Sequence, residues 1–282
     1  MKDNIFISPL YDSTFKYLWK KETSRKFFID LIKLITTIDL SKYSLYDPEL
    51  NSGNKTKDYR LDILFVKDKI SKEVFNIEMY KDYPKYGSDK SRAYIFRLLG
   101  YSYKEGEEYT KRVGIQLNFI NDYCPYDRNI IITNYMLRDK ENDIELDDIK
   151  IYDVYLPICK GICYNSDDED EVSSMLAFLG ANSFEEMKKI ANGNKEMLAV
   201  ERDLEDLIME DKFMGVYNNE IEQKKIANTE RYYGKLEGIE EGIQQGSYNK
   251  AIETAKKMKD KNYDILTIME LTSLSKEEIE KL

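Results

Sequence analysis

Two acidic residues, Asp62 and Glu78, lie in apolar segments that a short polar stretch separates. Residues 59–66 and 74–80 are rich in β-branched and aromatic side chains, which predicts the two strands of a hairpin. If the hairpin is centred on Ile70, Asp62 lies opposite Glu78 with Cβ atoms about 4.5–5.5 Å apart. Two carboxylates this close repel one another unless a cation lies between them, and Mg²⁺ takes such oxygen ligands. The spacing therefore predicts a hard-cation site suited to phosphodiester hydrolysis.

The alternation of side chains along each strand decides which residues share the face of this pair. In the first strand Asp62 shares its face with Arg60 and Leu64, and in the second Glu78 shares its face with Asn76 and Tyr80. The opposite face of both strands is apolar. Spacing alone leaves open the alternative that these are two ordinary acids on a solvated strand face.

The chain of 282 residues contains no histidine and only three cysteines. Ser-His-Asp chemistry, Cys-His chemistry and an imidazole general base are therefore excluded. Three cysteines do not form a disulfide framework, the N-terminal residues lack an apolar signal core, and no long apolar run predicts a membrane span. These features predict a cytoplasmic protein whose chemistry depends on carboxylates, lysine, tyrosine or a metal ion.

The net charge of −10 is unusual for a protein that contacts phosphate, but the charge is unevenly distributed. Residues 1–125 contain 22 basic and 18 acidic residues, whereas the rest of the chain contains 21 basic and 35 acidic residues. The half with the hairpin is thus mildly basic, which permits contacts with a phosphate backbone.

The remaining pattern predicts an α/β protein. A helix is expected over residues 12–40, with a break or restart at Thr23 and Ser24, and a first strand over 43–50. After the hairpin, a helix over 89–105 with Ser88 as its N-cap precedes strands over 111–120, 129–135 and 144–156. Short helices over 171–180 and 184–192 and a long helix or helical pair over 195–233 follow.

Glycines at positions 234, 238, 242 and 246 fall every four residues in a polar segment. Each glycine costs about 1 kcal/mol in a helix, so the segment predicts a weak helix that serves as an interaction helix or a hinge. Two short helices over 264–271 and 276–282 are expected after it, with Ser273 or Ser275 as a cap.

Three segments in this order resemble the recombination-promoting nuclease (Rpn) and putative transposase family, a branch of the PD-(D/E)XK nuclease superfamily. Near the N-terminus, Asp12, Phe15 and Lys16 match an Asp-x-x-Phe-Lys motif. In the hairpin, Asp62 and the Asn-Ile-Glu run ending at Glu78 match the catalytic core. The glycine-spaced segment and the C-terminal Leu-Ser-Lys-Glu-Glu-Ile run are similar to the family's tail.

The resemblance implies a restriction-endonuclease-like α/β fold: a four-stranded mixed sheet flanked by helices, with a helical C-terminal extension. It further implies a nuclease-like core over residues 1–165, a helical extension over 166–233 and a glycine-striped helix with a helix-turn-helix-like tail over 234–282. Carried over, Asp62 and Glu78 are metal ligands for Mg²⁺, Mn²⁺ or Ca²⁺, and the Met79 carbonyl is a third ligand.

One position departs from the superfamily pattern. A lysine, or in this family often a glutamine, is expected two residues after the glutamate, and here that residue is Tyr80. Tyr80 can donate a hydrogen bond but carries no positive charge. Lys16 or Lys20 from the first helix could reach the site instead. Glu22, Arg92 and Arg97 are further candidates for metal or phosphate contacts, with surface ion pairs as the alternative.

The resemblance implies a divalent-metal-dependent DNA endonuclease linked to recombination or mobile elements. The alternative, favoured by Tyr80 and by the acidic C-terminal half, is a weakened or inactive nuclease-fold protein that binds DNA or a protein partner. A third hypothesis is self-assembly into a homo-oligomer through the C-terminal helices.

Overall fold

The computed structural model describes residues 5–46, 63–67, 73–85, 87–101, 111–165 and 170–282. Its described strands form one mixed six-stranded sheet in the order β1-β2-β3-β4-β6-β5. The strands β3, β4 and β6 are parallel to one another, β2 and β5 pair antiparallel with β3 and β6, and β1 pairs antiparallel with β2. The predicted α/β class with a mixed sheet is confirmed, although the described sheet has six strands rather than the four expected. The strands are β1 Ser44–Tyr46, β2 Ile63–Val66, β3 Glu73–Tyr80, β4 Val113–Ile120, β5 Ile132–Asp139 and β6 Ile144–Tyr155.

The helices lie before, between and after these strands, and the chain divides into two compact units, Met1–Tyr217 and Asn218–Leu282. The predicted three-part division at residues 165 and 233 stays a prediction. The helices are α1 Asp12–Lys20, α2 Glu22–Thr36, α3 Gly87–Tyr101, α4 Leu156–Asn165, α5 Glu171–Leu179, α6 Phe184–Ala191, α7 Lys195–Ile208, α8 Asp211–Asp260, α9 Ile265–Thr272 and α10 Lys276–Glu280, and a short 3₁₀ turn covers Leu40–Lys42.

The register of the predicted hairpin is confirmed in the residues that the structure describes. Ile63 pairs with Ile77, and the pairs that follow it continue to Val66 with Val74. This is the register of a hairpin centred on Ile70. Asp62 lies outside the described residues.

The break expected within the helical residues 12–40 is present, but it lies at Lys21, two residues before Thr23, and the second helix ends at Thr36. Lys21 has an extended backbone with φ −82° and ψ 131°, and α2 begins immediately after it. Thr23 and Ser24, expected at the break, instead contact α7, where the Ser24 hydroxyl donates to an Asp203 carboxylate oxygen at 2.6 Å. The break therefore lets α2 pack along α7.

The face of the sheet toward α1 and α2 is apolar. Phe65, Phe75 and Ile115 are aligned on neighbouring strands and are all buried. Trp19 of α1 lies over this row, with its ring centroid 5.3 Å from that of Phe65. An aromatic cluster at this point holds the N-terminal helices on the sheet.

The opposite face of the sheet packs against α3. Gly114 of β4 makes a close approach possible, because a Cβ atom at that position would lie 2.7 Å from Ile95 Cδ1 of α3. Real Cβ contacts are longer than this, so the missing side chain sets the distance between helix and sheet. This approach places the first turns of α3 over the carboxyl-terminal half of β3.

The long helix α8 continues without a break through all four spaced glycines, so the expected helix is present there, and its role as an interaction helix or a hinge stays a prediction. Helix formers such as Lys, Glu, Gln and Ile fill the positions between the glycines. The C-terminal part of α8 packs with α9 and α10 around Ala255, Ile268 and Ile279. Ser275 caps α10 in a capping box with Glu278, which confirms one of the two predicted caps.

None of the described helices is apolar enough over sufficient length to cross a lipid bilayer.

Candidate functional site

Glu78 is a buried carboxylate on the central strand β3, on the face covered by α3. Only 1% of its surface is exposed. The Asn76 amide donates to Glu78 Oε1 at 3.2 Å, and the Lys90 ammonium donates to Glu78 Oε2 at 3.2 Å. A buried charge is tolerated only when it is paired and hydrogen-bonded, and both contacts serve that purpose here. The predicted face, on which Asn76 and Glu78 lie side by side, is confirmed.

Glu78 is one end of a chain of buried polar side chains that crosses three strands. Asn76 also donates to Gln116 Oε1 at 2.9 Å, Gln116 donates to Asn118 Oδ1 at 2.8 Å, and Asn118 donates to Asp153 Oδ1 at 2.6 Å. We call these five residues the polar ladder. The hydrogen bond from Asn76 and the ion pair with Lys90 restrict the orientation of the Glu78 carboxylate at its end of the ladder.

Asp153 is the second carboxylate of the polar ladder, at the far end from Glu78. Burial raises the pKa of Asp153 above its ordinary value, and the hydrogen bond from Asn118 and the charge of Arg92 only partly offset that effect. The sequence interpretation did not identify this residue. The alternating polar positions Gln116 and Asn118 opposite an apolar strand face were a signal that β4 has a polar buried side.

Tyr80 lies on the same face as Glu78, at the end of β3. Its hydroxyl is buried, and Ser91 and Lys90 of α3 lie beside it. Burial raises the pKa of the Tyr80 phenol, and the nearby negative charge of Glu78 raises it further. Tyr80 is therefore a neutral phenol and does not serve as a proton acceptor at ordinary pH.

Lys90 is the cation nearest to Glu78 in the described part of the site. Its Nζ lies 4.9 Å from the ring centroid of Tyr80 and 4.9 Å from that of Tyr94. Burial lowers the pKa of Lys90, but the charge and hydrogen bond of Glu78 together with the neighbouring Tyr80 and Tyr94 outweigh this effect, so the pKa lies above its ordinary value. Lys90 was not among the residues singled out from the sequence.

The other sequence-predicted residues occupy different places. Lys16 Nζ forms an ion pair with Asp12 Oδ1 at 2.8 Å, one turn earlier on α1. Arg92 pairs with Asp89 on the surface of α3. Glu22 is exposed at the start of α2. Their roles in metal or phosphate binding stay predictions.

The candidate ligand atoms described at this site are oxygen atoms, the ligand type that a hard cation such as Mg²⁺ prefers. Glu78 offers a carboxylate, and Asn76 Oδ1 beside it is buried without a hydrogen-bond partner within the described residues. In the described ranges no three His, Cys, Asp or Glu side chains come together as a complete metal site.

Comparison with known proteins gives one family match. A family model described as PD-(D/E)XK nuclease family transposase matches residues 9–229. This match covers both the sheet and the helices packed on it, and it includes Asp62, Glu78 and Lys90. No curated protein and no solved structure matches the chain significantly.

Proposed function

The chain belongs to the PD-(D/E)XK nuclease family transposases, and on that premise we propose that it is a divalent-metal-dependent DNA endonuclease. Family membership supports a nuclease-like function in general. Metal-dependent DNA cleavage is proposed chiefly because the Glu78 carboxylate is buried on the central strand and is held there by Asn76 and Lys90. A role in DNA recombination or in a mobile element fits the family's description as transposases.

In this proposal Asp62, Glu78 and the Met79 carbonyl hold the cation. The pairing of Ile63 with Ile77 supports the assignment, because that register is the one under which Asp62 was expected opposite Glu78. A divalent cation such as Mg²⁺, Mn²⁺ or Ca²⁺ acidifies water and neutralises charge on a phosphate group when it is bound.

The protein side chains position this reaction. Hydrolysis forms a bond between a water oxygen and phosphorus, and it breaks the bond from phosphorus to a deoxyribose oxygen. The water gives up a proton to solvent, and the leaving oxygen takes one up. A chain without histidine has no imidazole to relay these protons, so Glu78 acts by holding charge and geometry.

Nicking of supercoiled plasmid DNA tests this proposal. The wild-type protein should convert supercoiled to open-circular DNA with Mg²⁺ or Mn²⁺, and Asp62→Ala should abolish the conversion because one of two carboxylate ligands is lost. Equal cleavage by the wild type and by Asp62→Ala would remove Asp62 from the site.

A second, compatible function is self-association through α8. Tyr232, Leu236, Ile239 and Ile243 are exposed and follow one another at spacings of four, three and four residues. Steps that alternate between four and three residues are those of the apolar positions in a two-stranded coiled coil. A Cβ atom at any of the four spaced glycines would meet nothing within 4 Å, so packing within the chain does not require these glycines.

The exposed line of α8 favours a second copy of the chain as its partner. Lys235 and Glu240 flank the line and lie five residues apart, the spacing at which flanking charges pair between two parallel helices. The glycines beside the line give a second helix room for a close approach.

Light scattering after size-exclusion chromatography tests this association. The wild type should have twice the 33.3 kDa mass of one chain. The double variant Leu236→Glu and Ile239→Glu should have the mass of one chain, because it places charges in the apolar line. Leu266→Glu, at an exposed leucine outside α8, is the control and should keep the doubled mass. The same mass for all three proteins would exclude this interface.

A further inference from the structure

We propose that Lys90 of α3 supplies a positive charge to the Glu78 site, where the strand residue Tyr80 carries none. This inference rests on the proposed nuclease function and deepens it. The superfamily pattern expects a side chain of lysine or glutamine two residues after the glutamate, and this chain has Tyr80 there. The described structure brings a lysine to the same carboxylate from a different element.

The position of the Lys90 ammonium is fixed on several sides. Its Nζ lies 3.2 Å from Glu78 Oε2 and 4.9 Å from the ring centroids of both Tyr80 and Tyr94. Aromatic ring faces attract cations, and more strongly where water is partly excluded. Tyr80 therefore helps to hold the lysine of another element at the site.

The fold explains why a lysine on α3 reaches β3. Lys90 and Tyr94 are one helical turn apart and lie on the same side of α3. Gly114 favours a close approach of α3 to the sheet, since a Cβ atom there would lie 2.7 Å from Ile95 Cδ1 and the isoleucine would have to shift. The shared side of Lys90 and Tyr94 and the close packing at Gly114 together place the first turn of α3 beside Glu78.

The exposure of the pair suits contact with a charged substrate. The Glu78 side chain is 2% exposed, whereas the Lys90 side chain is 30% exposed. An ammonium group has three N–H donors, so a bond to Glu78 leaves capacity for a phosphate oxygen. In the hydrolysis described above, Lys90 donates to a phosphate oxygen whose negative charge increases as the water oxygen bonds to phosphorus. Lys90 gives up no proton in this role.

A second ion pair in the molecule provides a matched control. Lys67 Nζ lies 2.9 Å from Glu73 Oε2 and 5.6 Å from the ring centroid of Tyr43. The Lys67 side chain is 33% exposed, close to the value for Lys90. Glu73 is at the opposite end of β3 from Glu78. The Lys67–Glu73 pair is therefore also a lysine–glutamate ion pair beside a tyrosine ring, but it lies away from the proposed site.

The experiment compares wild type, Lys90→Met, Lys90→Arg and Lys67→Met. Calorimetric titration with Mn²⁺ measures the metal affinity, and single-turnover plasmid nicking measures the rate of cleavage. Lys90→Met should cleave roughly 100-fold more slowly, because a charge-stabilising donor is lost. It should also bind Mn²⁺ roughly tenfold more tightly, because a cation that competes for Glu78 is gone. Lys90→Arg should recover part of the rate, and Lys67→Met should match the wild type in both measurements.

The two measurements separate this inference from a structural role and from the proposed function. The inference is overturned if Lys90→Met loses Mn²⁺ affinity and activity together, or if it cleaves at the wild-type rate. In either case, cleavage by the wild type still supports the nuclease function. A wild type that neither binds Mn²⁺ nor cleaves DNA overturns the nuclease function and, with it, this inference.

Discussion

Replacing Glu78 with Gln is expected to slow DNA cleavage by roughly a thousandfold, which corresponds to about 4 kcal/mol of lost transition-state stabilisation. Glutamine has nearly the same shape, so it keeps the contact with Asn76 while it removes the negative charge. The loss of charge removes a proposed metal ligand and the partner of Lys90. Initial rates of plasmid nicking at saturating Mn²⁺ measure the effect.

The control for this variant is Glu73→Gln, on the same strand. Glu73 also pairs with a lysine, so the two variants lose the same kind of ion pair. Glu73→Gln should retain nearly all activity, since it lies at the other end of β3. Similar rates for the two variants would show that a lost ion pair, and not the position of Glu78, explains any decrease. Far-UV circular dichroism of both proteins checks that each has folded.

Replacing Trp19 with Ala is expected to lower the free energy of unfolding by about 3–5 kcal/mol, the largest effect on stability that we predict. Trp19 is fully buried between α1, α2 and β2. Its ring stacks on Phe28 at a centroid distance of 5.0 Å and meets Phe65 edge-on. The change leaves a cavity beside the strand that begins at Ile63, so it also loosens the support of the proposed site. Urea unfolding followed by circular dichroism measures the difference.

Two further variants make this prediction specific. The indole N–H of Trp19 has no hydrogen-bond partner within the described residues, so Trp19→Phe should cost clearly less than Trp19→Ala. Tyr126→Ala, at a side chain that is 77% exposed, should leave the free energy of unfolding within about 0.5 kcal/mol of wild type. A loss below about 1 kcal/mol for Trp19→Ala would contradict the described packing of α1.

Local periodicity was sufficient to predict the hairpin register and the face that Glu78 shares with Asn76. A period of two residues and a turn centre determine which residues oppose each other, and both are visible in one stretch of sequence. The break at Lys21 was misplaced by two residues, because the polar Thr23 and Ser24 serve a contact with α7 rather than a turn. That contact joins segments almost 180 residues apart.

The rest of the site depends on distances that no local pattern contains. Lys90 reaches Glu78 from α3, a helix that packs closely on the sheet where β4 has Gly114. Asp153 joins the polar ladder because β6 pairs with β4 while β5, which lies between them in sequence, forms the edge of the sheet. The continuity of α8 through its glycines likewise reflects the helix formers around them more than the glycines themselves.

The central claim is that Asp62 and Glu78 share one divalent cation. The most direct measurement is anomalous diffraction near the manganese edge from a crystal of the wild-type protein soaked in Mn²⁺. The proposal predicts one strong anomalous peak at coordination distance from a carboxylate oxygen of Asp62 and one of Glu78, beside the Lys90 ammonium. Full Mn²⁺ occupancy elsewhere with no peak at Glu78 would contradict it.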